Sequence, residues 1–175
     1  VYDIEKRGME AADKVITVSD LTRNIVITKY GIDPSKVVTV HNAVDFSGRS
    51  NVNVERGVKD KVVTFLGRIT FQKGPEYFIE AAAKVLKRCD NVRFVMAGSG
   101  DMMNRSIRQV ARLGISDRFH FTGFLRGKEV QEMFALSDVY VMPSVSEPFG
   151  ISPLEAMQMG VPSIISKQSG CAEIL

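Results

Sequence analysis

Two basic side chains stand close together in the segment GRITFQKG, which follows the apolar run VVTFL. They are Arg68 and Lys73, and Gly74 and Pro75 directly after them are typical of the start of a helix. The free backbone N–H groups of a helix start and two neighbouring cations favour the same kind of ligand, an anion such as a phosphate. Arginine suits bidentate contact with phosphate, and lysine acts as a point charge. A solvated pair of surface cations remains the alternative interpretation.

Two glutamates, Glu147 and Glu155, stand in the segment SEPFGISPLEAM. Carboxylates accept hydrogen bonds from sugar hydroxyls, and we predict this role for Glu147, which has no capping function. Glu155 has two interpretations, because Ser152, Pro153 and Glu155 also match a helix capping box, in which Glu155 would only contact the helix start. The two carboxylates lack a His, a Cys or a DxD run at ligand spacing, so the sequence does not predict a metal site.

The segment GSGD contains Gly98 and Gly100, the first two glycines of a dinucleotide-binding fingerprint. Met103 stands where the third glycine is needed, which weakens the signal and disfavours a nicotinamide-dependent dehydrogenase. Two interpretations of Gly98 and Gly100 therefore stay open: they relieve a tight turn, or they let the backbone approach a ligand.

The other reactive side chains have no catalytic partner nearby in the sequence. His41 and His120 are predicted to be hydrogen-bonded core or rim residues. The two cysteines, Cys89 and Cys171, are too few for a disulfide scaffold, and Cys171 is predicted to be inert. This cysteine usage favours a reducing, cytoplasmic setting.

Strand-like and helix-like runs alternate along most of the chain. Five strands are predicted at 62–67, 92–98, 118–124, 139–144 and 161–166. The predicted buried faces of the helices between them consist of Phe78, Ala82, Val85 and Leu86, then Met103, Ile107, Val110 and Ala111, then Val130, Met133 and Phe134. This alternation predicts an α/β fold, a Rossmann-like parallel sheet with helices on both faces. Ligands bind beyond the carboxyl ends of such strands, so we expect the loops described above to converge on one rim.

The first part of the chain has its own strand-like runs at 14–19 and 37–40, with a helix at 19–30 for which Ser19 is the predicted N-cap. The polar stretch 42–60 lacks a sustained period and is typical of a linker. We therefore predict two domains, 1–45 and 46–175. The chain begins without Met in a helical pattern and ends in one, at CAEIL, so we interpret it as a piece of a larger protein.

Composition narrows the classes of protein further. The chain has 175 residues, of which 45% are hydrophobic and 25% charged, and its net charge is +3. These values exclude a disordered chain, a collagen and a coiled coil. The basic residues are scattered, so nucleic-acid binding is not predicted. No apolar run reaches about 18 residues, and the N-terminus lacks a signal-peptide pattern, so neither a transmembrane helix nor secretion is predicted.

The combination FLGRITFQKGPEYFIEAA, VMAGSGD, HFTGFL and SDVYVMPSVSEPFGISPLEAMQMGVPSI resembles the GT-B glycosyltransferases, and within them family 4, a retaining group related to glycogen and sucrose-phosphate synthases. The resemblance covers about residues 10–175. It implies two Rossmann-like domains that face each other across a cleft. Residues 1–45 would then be the end of the N-terminal domain with the hinge, and 46–175 would be a donor-binding domain that lacks its last helices.

The resemblance also implies a role for each matching residue. Arg68 and Lys73 match the pair that neutralises the donor diphosphate, and Glu147 matches the carboxylate that contacts the transferred sugar, which gives the implied catalytic set. Glu155 matches the carboxylate that binds the ribose hydroxyls. The remaining implied donor-binding residues are Gly67, Gly98, Gly100, Phe124, Leu125, Phe149, Gly150 and Ile151. Phe124 and Leu125 of this set would border the base, and Gly150 and Ile151 would offer backbone amides.

The activity implied by the resemblance is transfer of a hexosyl group from a nucleotide sugar to a sugar, glycan or lipid-linked acceptor. Transfer would proceed from the front face with retention of the anomeric configuration and would need no metal or other cofactor. Most of the acceptor-binding domain is not in this sequence, so we expect the isolated fragment to be inactive. We expect that domain to bind the acceptor and to mediate any peripheral attachment of a cytoplasmic protein to a membrane. The alternatives are a non-catalytic nucleotide-sugar-binding module and a GT-B nucleotide-sugar epimerase.

Overall fold

The computed structural model describes residues 1–44 and 54–175. The predicted domain boundary between residues 45 and 46 lies outside these described residues, so the division into two domains stays a prediction.

Residues 1–44 form two helices and a two-stranded parallel sheet. Helix α1 (Tyr2–Ala11) precedes strand β1 (Val15–Thr17), and helix α2 (Asp20–Tyr30) precedes strand β2 (Val37–Thr39). The backbone N–H of Thr22 donates to Ser19 Oγ at 3.1 Å, and the N–H of Ser19 donates to Thr22 Oγ1 at 3.2 Å. These reciprocal bonds satisfy N–H groups that lack a partner at a helix start, so the predicted N-cap of α2 is confirmed.

Residues 54–175 form a five-stranded parallel sheet with helices between its strands. The elements in chain order are β3 (Lys61–Leu66), α3 (Pro75–Leu86), β4 (Val92–Ala97), α4 (Met103–Arg112), β5 (Phe119–Gly123), α5 (Lys128–Leu136), β6 (Val139–Met142), α6 (Ser152–Gln158) and β7 (Ser163–Ile165). The order of strands across the sheet is β5, β4, β3, β6, β7. The predicted α/β fold is confirmed, and the ends of the five predicted strands differ from the observed ends by at most two residues.

Aromatic side chains fill the core on both faces of the sheet. On one face, the ring of Phe78 in α3 lies 5.6–5.8 Å from the rings of Phe65, Phe94 and Phe119. On the opposite face, Phe134 of α5 packs edge-on against Tyr140 of β6 at 5.6 Å. Burial of each such side chain stabilises the fold by about 1.5–3 kcal/mol, so these rings fix the helices against the sheet.

The buried face of α3 differs in part from the prediction. Phe78 and Ala82 are buried as predicted, but Val85 is 38% exposed. Its place in the core is taken by Ile79, which is fully buried beside Phe78. Because Phe78 inserts between three sheet aromatics, it sets the rotation of the helix, and this rotation turns Val85 towards solvent.

The predicted buried face of α4 is wrong for two of its four residues. Ile107 is 44% exposed, and Ala111 is exposed as well. The buried line instead runs through Met102, Ser106 and Val110, which are spaced four apart and therefore lie on one side of the helix. Met102 and Val110 pack into the cluster around Phe78, and this contact determines which side of α4 faces the sheet.

The end of the chain also differs from the prediction of a helix. Residues Gly170–Glu173 form a single 3₁₀ turn.

Within the described part of the chain, the helices are all too short or too polar to cross a membrane.

A group of charged residues fastens the amino ends of neighbouring strands, at the edge of the sheet opposite to the expected ligand rim. Asp138, which precedes β6, accepts hydrogen bonds from Lys61 Nζ at 3.0 Å and from the Val62 N–H at 2.8 Å, and it pairs with Arg56. The Arg56 guanidinium is the main cause that holds the pKa of Asp138 well below its ordinary value of 3.8. Burial of the carboxyl acts in the opposite direction but is outweighed.

We predict that Asp138→Asn lowers the free energy of unfolding at neutral pH by about 1–3 kcal/mol, because it removes charge-assisted hydrogen bonds while keeping the shape of the side chain. The folded-state pKa of Asp138 is depressed, so its contribution is present above the unfolded-state pKa near 3.8 and is lost as the pH falls through the lower folded-state value. Urea unfolding followed by circular dichroism at several pH values measures the gap between the two proteins.

The exposed Asp117 offers a matched control, since Asp117→Asn makes the same change of charge at the same edge of the sheet and is expected to alter stability by less than about 0.5 kcal/mol. A gap between wild type and Asp138→Asn that stays constant down to pH 3 would contradict the prediction.

Candidate functional site

A cavity of about 240 Å³ opens at the carboxyl ends of β3, β4 and β5. Its lining consists of Leu66, Gly67, Arg68, Ala97, Gly98, Ser99, Phe124, Leu125 and Val130. Apart from Val130 of α5, these residues lie at the ends of β3 and β4 or in the loops after β3, β4 and β5, which meet because the three strands are parallel neighbours. Of the implied donor-binding residues, the structure thus brings Gly67, Gly98, Phe124 and Leu125 together with Arg68.

The glycines of the segment GSGD lie directly against the loop after β3. A Cβ atom at Gly98 would stand 1.8 Å from the carbonyl oxygen of Gly67, and one at Gly100 would stand 2.2 Å from that of Ile69. Gly98 also has a φ of 142°, which side-chain-bearing residues rarely adopt. The close approach that requires glycine at both positions is thus one between two backbone segments of this chain. Gly98 lines the cavity, whereas Gly100 is held against Ile69.

Hydrogen bonds hold these two loops in register. The N–H of Gly67 donates to the carbonyl of Ala97 at 3.0 Å, and the N–H of Ile69 donates to that of Ser99 at 2.9 Å. The wall of the cavity that carries Arg68 is therefore a continuation of the pairing between β3 and β4. Arg68 itself is exposed, and among the described residues it has no ion-pair partner.

Lys73 ends a short 3₁₀ turn, Phe71–Lys73, that leads into α3. Gly74 follows with a φ of 66°, and Pro75 is the first residue of the helix, as predicted. A Cβ at Gly74 would stand 2.4 Å from the carbonyl oxygen of Pro143, so the start of α3 lies directly against the loop after β6. This contact brings Lys73 within reach of the segment that contains Glu147.

Lys73 and Glu147 form an ion pair, which is a contact that the sequence did not predict. The Glu147 residue is only 8% exposed, and Ser144 Oγ lies 3.5 Å from the same carboxylate oxygen that Lys73 contacts. Burial of a carboxylate is costly without a nearby positive charge, and the Lys73 ammonium provides that charge. The structure therefore joins two of the three implied catalytic residues directly.

Gln72 is a site-supporting residue that the sequence analysis missed. Its side-chain Nε2 donates to the carbonyl of Ser146 at 2.9 Å, and its backbone carbonyl accepts from the N–H of Val145 at 2.9 Å. Gln72 thus fastens the loop of Lys73 to the loop of Glu147. Its position in the sequence, between two residues of the predicted anion loop, is the only signal that could have indicated this role.

The capping-box interpretation of Glu155 is wrong. Helix α6 begins at Ser152 itself, after Ile151 as N-cap, and no side chain caps it. Ser152 is therefore the first residue of the helix and not its N-cap, which leaves Glu155 without a partner in a capping box.

Glu155 lines a second cavity of about 300 Å³, together with Gly127, Phe134 and Met159. Val130 borders both this cavity and the first one, so the two are neighbours. Glu155 is half-buried, and burial raises the pKa of its carboxyl above the ordinary value of 4.5. A half-buried carboxylate beside the first cavity is available to accept hydrogen bonds from a ligand that extends from one cavity into the other.

The segment between the two glutamates combines buried and exposed positions. Phe149 is only 2% exposed and packs in the core cluster with Tyr140, so a ligand could reach its backbone alone. Gly150 has a φ of 93° and leaves no room for a Cβ, which would stand 2.8 Å from Met142 Cε. Ile151 is exposed. Of these three implied donor-binding residues, Gly150 and Ile151 are the more accessible.

His41 and Cys171 occupy the environments that the sequence predicted, since His41 Nε2 lies 3.1 Å from Glu173 Oε2. The prediction is wrong for His120, which is exposed on β5 and whose side chain forms no hydrogen bond within the described residues. Cys171 is fully buried, and desolvation raises the pKa of its thiol, which agrees with an unreactive side chain. Asp20, His41 and Glu173 bring atoms that could coordinate a metal ion within 4.8 Å of one another. Glu173 in this group already accepts hydrogen bonds from two backbone N–H groups.

Comparison with protein families gives two matches that together cover nearly the whole chain. The family described as Glycosyl transferases group 1 matches residues 49–175, and the family described as Glycosyltransferase Family 4 matches residues 1–47. An uncharacterized glycosyltransferase of Methanocaldococcus jannaschii is 38% identical over 100% of this chain and 47% of its own length. The 2-deoxystreptamine glucosyltransferase of Streptomyces kanamyceticus is 30% identical over 93% of this chain and 44% of its own length. The chain thus spans about half the length of the curated relatives that it matches.

Solved structures confirm the predicted GT-B type of fold. HepE of Anabaena, in complex with UDP and glucose, matches 99% of this chain with a TM-score of 0.88 at 24% identity, and the match covers 50% of that protein. WaaG, a glycosyltransferase involved in lipopolysaccharide biosynthesis, matches 92% of this chain with a TM-score of 0.77 at 20% identity, and the match covers 46% of that protein.

We predict that Lys73→Met destabilises the protein by about 3 kcal/mol, because it leaves the buried Glu147 carboxylate without its counter-charge. The double variant Lys73→Met/Glu147→Gln removes the unpaired charge as well and is expected to recover at least half of the loss. Urea unfolding of the two single variants and the double variant measures this coupling.

Arg68→Met is the matched control, because it removes an exposed cation that has no ion-pair partner within the described residues, and it is expected to change stability by less than about 0.5 kcal/mol. Additive losses in the double variant would show that Lys73 and Glu147 do not stabilise each other.

Proposed function

The chain belongs to the glycosyl transferases group 1 family, and from this premise we propose that it is the donor-binding part of a retaining glycosyltransferase. The enzyme would move a hexosyl group from a nucleotide sugar to an acceptor bound by the other half of the protein. The observation that carries the proposal is the rim at the carboxyl ends of the parallel strands. Arg68 lies on one cavity of this rim, Glu155 lies on the neighbouring cavity, and the Lys73–Glu147 pair lies on the adjoining loops.

The chemistry of the two cavities matches the parts of a nucleotide sugar. The first cavity has an exposed guanidinium and an apolar wall with Phe124 and Leu125, which suits a phosphate group next to a flat base. The second cavity holds Glu155, whose carboxylate can accept hydrogen bonds from ribose hydroxyls. The UDP bound by HepE of Anabaena supports a nucleoside diphosphate as the shared part of the ligand.

The proposed reaction breaks the bond between the anomeric carbon of the donor sugar and its phosphate oxygen. The electron pair of that bond goes to the oxygen, and the nucleoside diphosphate leaves as an anion whose developing charge Arg68 and Lys73 stabilise. The acceptor hydroxyl forms the new bond on the same face of the sugar and gives its proton to the departing phosphate oxygen. Glu147 holds the sugar hydroxyls during this step. The proposal assigns no step to a metal ion or cofactor.

The activity is tested on the full-length protein with a panel of UDP-, GDP- and ADP-sugars and candidate acceptors, and with NMR analysis of the product. We predict a glycosylated acceptor whose anomeric configuration equals that of the donor sugar. A product with the opposite configuration would contradict the retaining mechanism. An epimerised nucleotide sugar without transfer would identify an epimerase, and binding of a nucleotide sugar without turnover would identify a non-catalytic binding module.

We predict that Arg68→Ala weakens binding of the nucleoside diphosphate to the full-length protein roughly 10- to 150-fold, since it removes a charge-assisted contact with the phosphates. Titration calorimetry with UDP, GDP and ADP measures the dissociation constants. Arg108→Ala makes the same substitution at an exposed position of α4 and is expected to leave them unchanged. Equal affinities of wild type and Arg68→Ala would refute the assignment of the phosphate site.

A further inference from the structure

Glu173 connects the end of the chain to the start of helix α2, which is more than 150 residues away. Its two carboxylate oxygens accept hydrogen bonds from the backbone N–H groups of Asp20 at 2.7 Å and of Leu21 at 2.6 Å. Such N–H groups have no partner within a helix, and the helix dipole favours a negative charge beside them. His41, which follows β2, contacts the same carboxylate at 3.1 Å. Glu173 therefore fastens residues 168–173, here called the anchor segment, to residues 1–44.

The other side of the anchor segment is attached to the loop of Glu147. The N–H of Glu147 donates to the carbonyl of Gln168 at 3.1 Å, and the N–H of Gly170 donates to the carbonyl of Glu147 at 3.0 Å. The two segments thus pair as short parallel strands, with Glu147 opposite Ser169. The backbone of Glu147 is therefore held at both its N–H and its carbonyl. The segment that holds it contains none of the implied donor-binding residues.

A third contact joins the two segments that flank the anchor segment. Ser19 Oγ donates to the carbonyl of Pro148 at 2.6 Å, so the start of α2 touches the Glu147 loop directly. A Cβ at Gly170 would stand 2.2 Å from the Pro148 carbonyl oxygen and 2.4 Å from Ser19 Cβ. At Gly170 the anchor segment is therefore packed tightly against both the start of α2 and the Glu147 loop. A displacement of one of these three segments must move the others.

We propose that Glu173 is a positioning residue for Glu147: by holding the anchor segment on the amino end of α2, it fixes the Glu147 loop where the carboxylate meets the transferred sugar. The last part of this statement rests on the proposed function, whereas the mechanical coupling does not. The phosphate-binding part of the site lies on the paired loops after β3 and β4, to which the anchor segment makes none of the hydrogen bonds described above. Loss of Glu173 therefore affects recognition of the sugar and leaves the contact of Arg68 with the phosphates intact.

The coupling is tested by amide hydrogen exchange on the full-length protein without ligand, comparing wild type with Glu173→Ala and Glu173→Gln. The expected result for Glu173→Ala is exchange at least about tenfold faster at the amides of Glu147 and Gly170, with unchanged exchange at Gly67 and Ile69. Glu173→Gln keeps one acceptor oxygen and is expected to be intermediate. Unchanged exchange at Glu147 and Gly170, or faster exchange at all four amides, would overturn the proposal.

The consequence for the site is tested by titration calorimetry with a nucleoside diphosphate and with the corresponding nucleotide sugar. Glu173→Ala is expected to keep the nucleoside diphosphate affinity within about twofold of wild type and to weaken the nucleotide sugar at least about tenfold, with Glu173→Gln between the two. A purely structural role would weaken both ligands alike and would overturn the proposal. Glu80→Gln, on the exposed side of α3, is the matched control.

Failure of this inference and failure of the proposed function give different results. If wild type binds no nucleotide, the proposed function is wrong, while the exchange measurement still decides whether Glu173 positions the Glu147 loop. If wild type binds the nucleotide sugar and Glu173→Ala binds it equally well, the positioning role is wrong and the proposed function stands.

Discussion

The buried carboxylate of Glu147 needs a positive charge beside it, and Lys73 provides this charge. Most of the geometry of the candidate site follows from the contacts that place Lys73 there. Lys73 comes from the loop after β3, and Glu147 comes from the loop after β6, which is the neighbouring strand in the sheet. The close contact between Gly74 and the Pro143 carbonyl brings the start of α3 to the end of β6. Since an unpaired buried carboxylate costs several kcal/mol, any arrangement that separates these two loops is strongly disfavoured.

The parts of the site that the sequence predicts are those that depend on the sheet alone. Alternating apolar runs and helical patterns identify the five parallel strands of residues 54–175, and parallel strands place the loops that follow them on one rim. The gathering of Arg68, Gly98 and Phe124 around one cavity follows from this rule without knowledge of any side-chain contact. Local signals also identified two helix starts, at the N-cap Ser19 and at Pro75.

The features that the sequence did not predict depend on contacts between distant segments. Lys73 and Glu147 are 74 positions apart, and nothing in either local pattern indicates that they meet. A capping box at Ser152 was one of two interpretations of Glu155, and it is wrong because helix α6 begins at Ser152 itself. The predicted buried face of α4 included Ile107 and Ala111, but Met102 and Val110 pack into the core and turn Ile107 towards solvent. In α4 a tertiary contact thus selected one of two locally acceptable arrangements.

The same ion pair links the two halves of ligand recognition in the proposed function. Lys73 and Glu147 neutralise each other, so Arg68 carries the unbalanced positive charge of these three residues. A diphosphate attracts both cations, and a Lys73 ammonium that turns towards it leaves the Glu147 carboxylate free to accept hydrogen bonds from the sugar. The Glu147 carboxylate then loses its contact with Lys73 while it binds the sugar. The backbone pairing with Gln168 and Gly170 does not involve Lys73, and it is therefore the contact that can keep Glu147 in place while the lysine is shared between two anions.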